Sequence, residues 1–270
     1  MPIKLSPHLV EKPWGRTDVS TVFGKVEGGR IGEVWFEGPA GLELPFLTKY
    51  IFTSEKLSIQ VHPNDAEARQ RGLAQGKAEC WYILAANPGS TLGLGLKRPV
   101  SQEQFRDSLT DGTVEDLMDW RPVAPGEFYY VPPGTVHAIG AGIALLEFQQ
   151  NQDVTYRLFD YGRPRELHLD DGVAVSRLSP YPDACSRPMD EPHDVILHSD
   201  AKFTVIRASN AANIPSTIND QRKWVMPLAG SVTAQGEVAS FGECLLLEPG
   251  EQLEFALETL AFIGCATPQV

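Results

Sequence analysis

Cysteine is scarce. The 270 residues hold four, Cys80, Cys185, Cys244 and Cys265, and no two of them form a Cys-x-x-Cys pair. This spacing argues against a thiolate zinc site and a disulfide framework, and it predicts four reduced structural thiols. No apolar run approaches the roughly 18 residues that a membrane helix needs. The stretch from Met1 to Gly15 is broken by Pro2, Pro7 and Pro13; without a continuous apolar segment it does not read as a signal peptide, so the cytoplasm is the expected compartment. Basic residues are also in short supply: 23 Lys and Arg stand against 35 Asp and Glu, a formal net charge of -12. Such a chain repels phosphate backbones and anionic lipid, so neither nucleic acid nor a membrane is an expected partner. An anionic small molecule would need a pocket where cations gather against the overall charge. Hydrophobic residues at 42% and charged residues at 21% are close to soluble globular values and exclude disorder.

Turn chemistry is abundant. Twenty-four Gly and 21 Pro punctuate short β-branched and aromatic runs along the whole chain, the pattern of an all-β sandwich or barrel. Strands are expected at 32–36, 56–62, 79–85, 127–131, 136–139, 143–149, 204–207, 224–228, 244–247 and 261–265. Helical signal is confined to two places. Asn64 or Asp65 can cap a short helix through Gln70, and Ser101 with Gln104 makes a capping box ahead of Phe105, Leu109, Leu117 and Met118, with Gly112 splitting that segment in two. Prolines 180, 182, 188 and 192 among polar residues mark a linker at 179–194, which divides a first β module at 1–178 from a second at 195–270. A weak internal echo links the two: Ala124-Pro-Gly-Glu-Phe-Tyr-Tyr-Val-Pro-Pro-Gly and Phe241-Gly-Glu-Cys-Leu-Leu-Leu-Glu-Pro-Gly each run from a Gly-Glu turn through an apolar strand to Pro-Gly. Two related modules or two ordinary hairpins both account for it.

With only six histidines, each can be weighed. In Leu57-Ser-Ile-Gln-Val-His62 a period of two places Ser58, Gln60 and His62 on one strand face, opposite Leu57, Ile59 and Val61. That polar face either meets solvent or lines a pocket. Glu79 opens the apolar run Glu-Cys-Trp-Tyr-Ile-Leu, and His137 follows Val131-Pro-Pro-Gly-Thr-Val, where a Pro-Pro-Gly turn is a stiff support for a ligand. Two imidazoles, a carboxylate and a neutral oxygen on neighbouring strands suit a borderline dication, for which zinc is the common choice; spacing alone leaves a metal site and an ordinary polar face both open. His8 and His168 are expected at the surface, and His193 and His198 are expected to be solvated. Lys77 lies two residues before Glu79, so on an extended chain both can point inward, and Arg157 follows the strand at 143–149. Lys97, Arg98, Arg163 and Arg165 lie in loops, where isolated cations are usually solvated.

Three separated blocks carry a resemblance: Leu57-Ser-Ile-Gln-Val-His-Pro-Asn-Asp65; Gly76-Lys-Ala-Glu-Cys-Trp-Tyr-Ile-Leu84; and the stretch from Gly126 to Arg163, which includes Val-Pro-Pro-Gly-Thr-Val-His-Ala-Ile-Gly and Leu-Leu-Glu-Phe-Gln-Gln-Asn-Gln-Asp-Val-Thr-Tyr-Arg-Leu-Phe-Asp-Tyr, continued by Pro164-Arg-Glu-Leu-His168. In this order they resemble the class I phosphomannose isomerases, zinc-dependent cupins that interconvert mannose 6-phosphate and fructose 6-phosphate. The resemblance implies a double-stranded β-helix (jelly-roll) architecture of two β modules with a few short helices. It also implies one zinc ion per chain held by Gln60, His62, Glu79 and His137, and a sugar phosphate as the small-molecule partner. It places Arg157 at the family's catalytic arginine, Lys77 at the pocket lysine, and Glu147 and Asp153 at its acidic active-site positions. Aldose–ketose isomerisation moves a proton between C1 and C2, so the site needs a base and a charge to stabilise the enediolate. Lys77 and Glu147 are both candidates for the base, while Arg157 carries a permanent charge. Lys97, Arg98 and Arg163 are weak candidates for phosphate capture. The chain departs from the longer members in three ways: it has no room for their large helical insert, it has Ile139 where they carry a tyrosine, and no ligand set recurs in its second module. An isomerase of another phosphosugar or free sugar, or a non-catalytic sugar-binding cupin, would use the same scaffold. The joint presence of Arg157, Lys77 and Glu147, which binding alone does not require, favours an enzyme. The sequence carries no mark of an oligomeric state.

Overall fold

A computed structural model describes residues 1–19, 22–25, 29–188 and 194–267. Its backbone is mainly strand, as expected, and is built of stacked layers. The central layer is a seven-stranded antiparallel sheet in the order β15 (Ser186–Arg187), β11 (Phe128–Val131), β8 (Glu79–Ala86), β13 (Ile143–Gln150), β6 (Phe46–Phe52), β5 (Ile31–Glu37) and β2 (Ser6–Arg16). On one side of it lies a five-stranded sheet, β10 (Met118–Pro122), β9 (Thr91–Leu96), β12 (His137–Ile139), β7 (Ile59–Val61) and β14 (Tyr156–Phe159). On the other side lies a six-stranded sheet, β1 (Ile3–Lys4), β21 (Leu245–Leu247), β18 (Lys223–Ala229), β23 (Leu260–Ala266), β17 (Phe203–Ala208) and β16 (Val195–Ser199). A three-stranded sheet of β20 (Glu237–Ser240), β19 (Ser231–Ala234) and β22 (Glu254–Phe255) covers the far face of the six-stranded one, and a small ribbon joins β3 (Asp18–Val19) to β4 (Gly24–Lys25). Helices α1 (Asp65–Gln70), α2 (Gln102–Asp111), α3 (Val114–Leu117) and α4 (Leu169–Val175) complete the chain. Among the described residues no helix is long and apolar enough to cross a membrane.

The central sheet is buried on both faces, and the side-chain alternation of its strands shows what each face meets. On β13, Ala144, Leu146 and Phe148 join a core with Phe203, Trp224 and Phe262 of the six-stranded sheet. Leu145 turns the other way and packs with Leu92, Leu94 and Ile139 of the five-stranded sheet. The outer face of the five-stranded sheet is sealed by Phe105, Leu109 and Val114 of α2 and α3 and by Val173 and Val175 of α4. The central sheet therefore has a core on each face, a third core fills the space between the six- and three-stranded sheets, and a polar cavity opens on the side of the central sheet that faces the five-stranded one.

Both sequence-derived caps are present. Asn64 accepts from the Ala66 and Glu67 amides in a full capping box, and Ser101 pairs with Gln104 in another. Gly112 ends α2 in the left-handed region. The internal echo also has a shared geometry: Gly126 and Gly242 adopt φ near +90°, and the following Glu127 and Glu243 each accept the amide three residues back, from Ala124 and Ser240. Within the expected linker, residues 183–185 form one 3-10 turn and β15 pairs with β11; Pro192 and His193 lie outside the described residues. The thiols of Cys80, Cys244 and Cys265 are buried and that of Cys185 is half-buried, and all four are free.

Candidate metal centre and active site

Two turns set the geometry of the site. The Pro132–Gly134 turn closes on the carbonyl of His62, which accepts the Gly134 amide at 2.8 Å. Gly134 has φ +85°, and a Cβ there would sit 3.0 Å from the Val175 carbonyl, so glycine answers both the backbone geometry and the close approach. The turn delivers His137 onto β12 directly opposite Gln60 on β7. Gly76 lets the segment before β8 run against residues 63–65, where a Cβ would meet Pro63 O and Asn64 C at 2.5 Å. The Lys77 amide then bonds Pro63 O at 3.0 Å, fixing Lys77 and Glu79 beside the two histidines.

At the centre, Glu79 spans both imidazoles: Oε2 lies 3.4 Å from His62 Nε2, and Oε1 lies 3.3 Å from His137 Nε2. The other ring nitrogens are taken, His62 Nδ1 by Val154 O at 2.8 Å and His137 Nδ1 by Thr135 O at 2.9 Å. Backbone carbonyls so used make each Nδ1 the N–H and leave each Nε2 lone pair facing the carboxylate, the arrangement that orients ligating histidines. The Gln60 amide nitrogen lies 3.2 Å from His137 Nε2, and a half-turn of the amide exchanges it for the carbonyl oxygen. One donor atom from each of His62, Glu79 and His137 falls within 4.8 Å of the others. All three side chains are buried, and His62 Nε2 and both Glu79 oxygens lack a hydrogen-bond partner. Buried polar atoms left unpaired are costly; three of them converging on one point fit a dication with mixed nitrogen and oxygen ligands.

Charge states agree with that fit. Burial, with Lys77 adding to it, pushes His62 down to about 3, and burial also lowers His137; both rings are neutral at pH 7. Burial alone would raise Glu79, but Lys77 and His62 outweigh it and hold the carboxyl well below its ordinary range. Lys77 Nζ lies 3.3 Å from Glu79 Oε2.

A cavity of about 120 Å³ opens beside this cluster and brings together every catalytic residue expected from the sequence. Lys77, Glu147, Asp153 and Arg157 all line it, together with Gln60 and Glu79. His62 and His137 stand behind Glu79, each no more than 2% exposed. Burial raises Glu147 against the opposing pull of Lys49. Trp81 Nε1 donates to Glu147 Oε2 at 3.0 Å. Arg157 donates to Glu166 O at 2.7 Å and keeps a buried, unpartnered Nε. Asp153 stands exposed at the rim.

Ser58 and His62 are 3% and 2% exposed, so of the two readings left open for the face that carries Ser58, Gln60 and His62, it lines the interior. Several expectations need correction. The phosphate candidates Lys97, Arg98 and Arg163 do not line the cavity. Lys97 bonds Asp116 O, Arg98 bonds Pro99 O, and Arg163 is held by Asp160 and Lys56 O. His198 is not solvated: its side chain is 15% exposed beside Asp200 and stacks on Tyr130 with ring centroids 3.6 Å apart. His168 is half-buried and accepts the Arg157 amide. Sequence reasoning also missed Lys12, Glu33 and Lys49, which line the cavity, and Arg165, expected as a solvated loop cation, lines it as well. For Lys49 a signal existed, a lone cation inside the apolar run Phe46–Phe52.

Comparison with known proteins follows from this geometry. No family model matches the chain. It is similar to the mannose-6-phosphate isomerase ManA of Bacillus subtilis (strain 168), 38% identical over 173 residues, covering 59% of this chain and 55% of that protein, so it spans about half the length of that relative. The probable mannose-6-phosphate isomerase GmuF of the same organism is 31% identical over 214 residues, covering 64% of this chain and 68% of that protein. Among solved structures, the mannose 6-phosphate isomerase from Bacillus subtilis superposes with a TM-score of 0.78 at 25% identity, over 97% of this chain and 99% of that one. On these grounds the chain belongs to the mannose-6-phosphate isomerase family.

Proposed function

We propose that the protein is an aldose–ketose isomerase that interconverts mannose 6-phosphate and fructose 6-phosphate with one zinc ion per chain, held by Gln60, His62, Glu79 and His137. The observation that carries this reading is one cavity whose lining joins Glu79 of the buried His62–Glu79–His137 cluster to Lys77, Glu147, Asp153 and Arg157. A bound zinc ion supplies Lewis acidity toward the oxygens on C1 and C2. Everything else in the reaction falls to side chains. Of the two base candidates, Lys77 is committed to Glu79 at 3.3 Å, whereas Glu147 offers a carboxyl raised by burial and fixed by the Trp81 indole. A raised carboxyl is matched to proton abstraction near neutrality. Glu147 therefore takes the C2 proton of the open-chain aldose into its carboxylate, leaving an enediolate; the hydroxyl proton on O2 passes to O1, and Glu147 returns its proton to C1 to give the ketose. Arg157 holds a permanent positive charge beside the developing enediolate. Asp153 at the rim accepts from a sugar hydroxyl. Two further cations that line the cavity, Lys12 and Arg165, replace Lys97, Arg98 and Arg163 as receivers of the phosphate.

A coupled assay on the purified protein, as isolated and after chelation, tests this reading with mannose 6-phosphate, glucose 6-phosphate and free mannose offered separately. The expected result is chelator-sensitive turnover of mannose 6-phosphate alone. Turnover of another sugar would keep the chemistry and change the substrate. Bound metal without turnover of any sugar would refute the isomerase and leave a sugar-binding protein.

A further inference from the structure

Across the central sheet, four strands place one residue each in a single row. In the observed register, Trp35 of β5 pairs with Lys49 of β6, Lys49 with Glu147 of β13, and Glu147 with Trp81 of β8. All four side chains line the cavity. Lys49 lies in the middle, 6% exposed, with Nζ 3.0 Å from Glu147 Oε1. A buried ammonium needs one anionic partner, yet Lys49 has two, because Glu33, two residues before Trp35, brings Oε2 to 3.5 Å. Glu33 is itself 7% exposed; its Oε2 accepts the Trp35 indole N–H at 2.6 Å, and its Oε1 lies 3.3 Å from Lys12 Nζ.

We infer that Glu33 is a positioning residue for isomerisation: it keeps the Lys49 ammonium fixed and charged while Glu147 takes up and returns the substrate proton. The inference rests on the isomerase reading above. Its logic is electrostatic. Once the Glu147 carboxyl accepts a proton from carbon, Lys49 loses the charge on its nearer partner. A buried ammonium stranded in this way would release its own proton. Glu33 supplies the second charge that prevents this, so Lys49 remains a donor and a fixed cation through both half-reactions. The charged and titratable groups facing Lys49 are Lys12 from β2, Glu33 from β5, Glu147 from β13, Glu79 from β8 and Lys77 from the segment preceding β8. The two carboxyls are set apart. Burial would raise Glu33, but Lys49 and Lys12 overcome it and hold Glu33 at about 2, whereas burial carries Glu147 upward. Glu33 thus stays ionised when Glu147 takes the proton. Burial pulls Lys49 down, and Glu147 and Glu33 together reverse that pull and raise it.

Glu33→Gln keeps the volume and, through its amide oxygen, the Trp35 bond, while removing the charge. The expected result is a kcat lower by about tenfold or more with KM for mannose 6-phosphate changed less than about threefold. Metal content stays unchanged, and the alkaline limb of the kcat–pH profile moves down by about one unit or more. The Lys49 Cε resonance, followed by NMR in selectively labelled protein, titrates at correspondingly lower pH in the variant. Glu33→Asp, which keeps the charge, restores most of the activity. A wild-type pH profile and Lys49 titration in Glu33→Gln would overturn the inference, as would parallel losses of Tm and kcat with the alkaline limb unmoved. Should Glu33→Gln fail to fold, Glu33→Ala, which also removes the charge, carries the same readouts, and an unmoved alkaline limb in it overturns the inference. If the wild-type protein turns over no sugar phosphate, the isomerase reading fails, while the Lys49 titration still decides whether Glu33 holds that charge.

Discussion

Gly264 of β23 gives a quantitative test of how the core between the seven- and six-stranded sheets supports the site. A Cβ built on Gly264 would lie 2.7 Å from both Cε2 and Cζ of Phe148 and 2.9 Å from its Cδ2. Carbon atoms at rest sit 3.5–4.0 Å apart, so Gly264→Ala demands a displacement of about 1 Å. Phe148 has nowhere to go. Its side chain is fully buried, stacked on Phe46 at 5.2 Å and walled by edge contacts with Phe203 at 5.5 Å and Trp224 at 5.7 Å. Overpacking of this kind costs about 1–3 kcal/mol, and in a chain of this size each kcal/mol lowers Tm by about 2–4 °C. Gly264→Ala is therefore expected to lower Tm by about 2–12 °C in scanning calorimetry. Phe148→Leu removes the opposing ring, so the double variant should be more stable than the sum of the two single costs predicts, by about 1 kcal/mol or more. Phe148 precedes Gln149 and follows Glu147 on β13, so the same push should also depress kcat. A Tm for Gly264→Ala within about 1 °C of wild type, or strict additivity in the double variant, would refute this packing argument.

Arg157→Ala is expected to retain fold and metal while lowering kcat by about 10²–10³; unchanged turnover in the coupled assay would remove Arg157 from the chemistry. His137→Ala should lose most of the bound metal, measured by elemental analysis, and full retention would show the ligand set to be wrong. The Asp200 carboxyl accepts from Tyr130 Oη at 2.7 Å and from the amides of Lys202 and Phe203, with His198 Nε2 at 3.3 Å. Burial would raise it, but these partners hold it far below its ordinary value. A carboxyl depressed on folding contributes stability above its unfolded pKa of about 3.9 and loses it as pH falls toward the folded value. Asp200→Asn should accordingly cost about 1–2 kcal/mol at pH 7, and urea melts should show the gap from wild type narrowing near pH 3; a constant gap would contradict the assignment.

Strands bounded by clear turn signals were legible in the sequence, even where both faces are buried as in 143–149, and others were not. The run 143–149 was found, and so was the Ser58-Gln60-His62 alternation, although the strand itself shortens to Ile59–Val61 because residues 56–58 lead into it as loop. β6 escaped, although like β13 it is buried on both faces: Phe46, Tyr50 and Phe52 pack toward the six-stranded sheet, while Leu47, Lys49 and Ile51 face the cavity side. Its pattern is a continuous apolar run, which periodicity does not assign. β2 escaped for the opposite reason, since Pro7 and Pro13 argue against a strand. It lies at the edge of its sheet, where proline is tolerated. α4 contains Gly172, a poor helix former, whose missing Cβ would have met Leu158 Cδ2 at 2.5 Å; tertiary packing overrode local propensity there.

The same physics decided which site residues could be read. His62, His137 and Glu79, placed in turns or at strand starts, stand out because their surroundings are locally unusual, whereas Glu147 and Asp153 were named only through the family resemblance. Glu33 and Lys49 carry no local peculiarity beyond one charge in an apolar strand. Their meaning arises only from the register that sets β5 beside β6 and β6 beside β13. Burying such a charge is costly in isolation, and the three buried lysine–carboxylate contacts Lys49–Glu33, Lys49–Glu147 and Lys77–Glu79 offset that cost mutually. A lone lysine in an otherwise apolar strand therefore implies a partner on an adjacent strand. Here the partner of Lys49 is Glu147, the residue that its charge keeps from being simply a buried neutral acid.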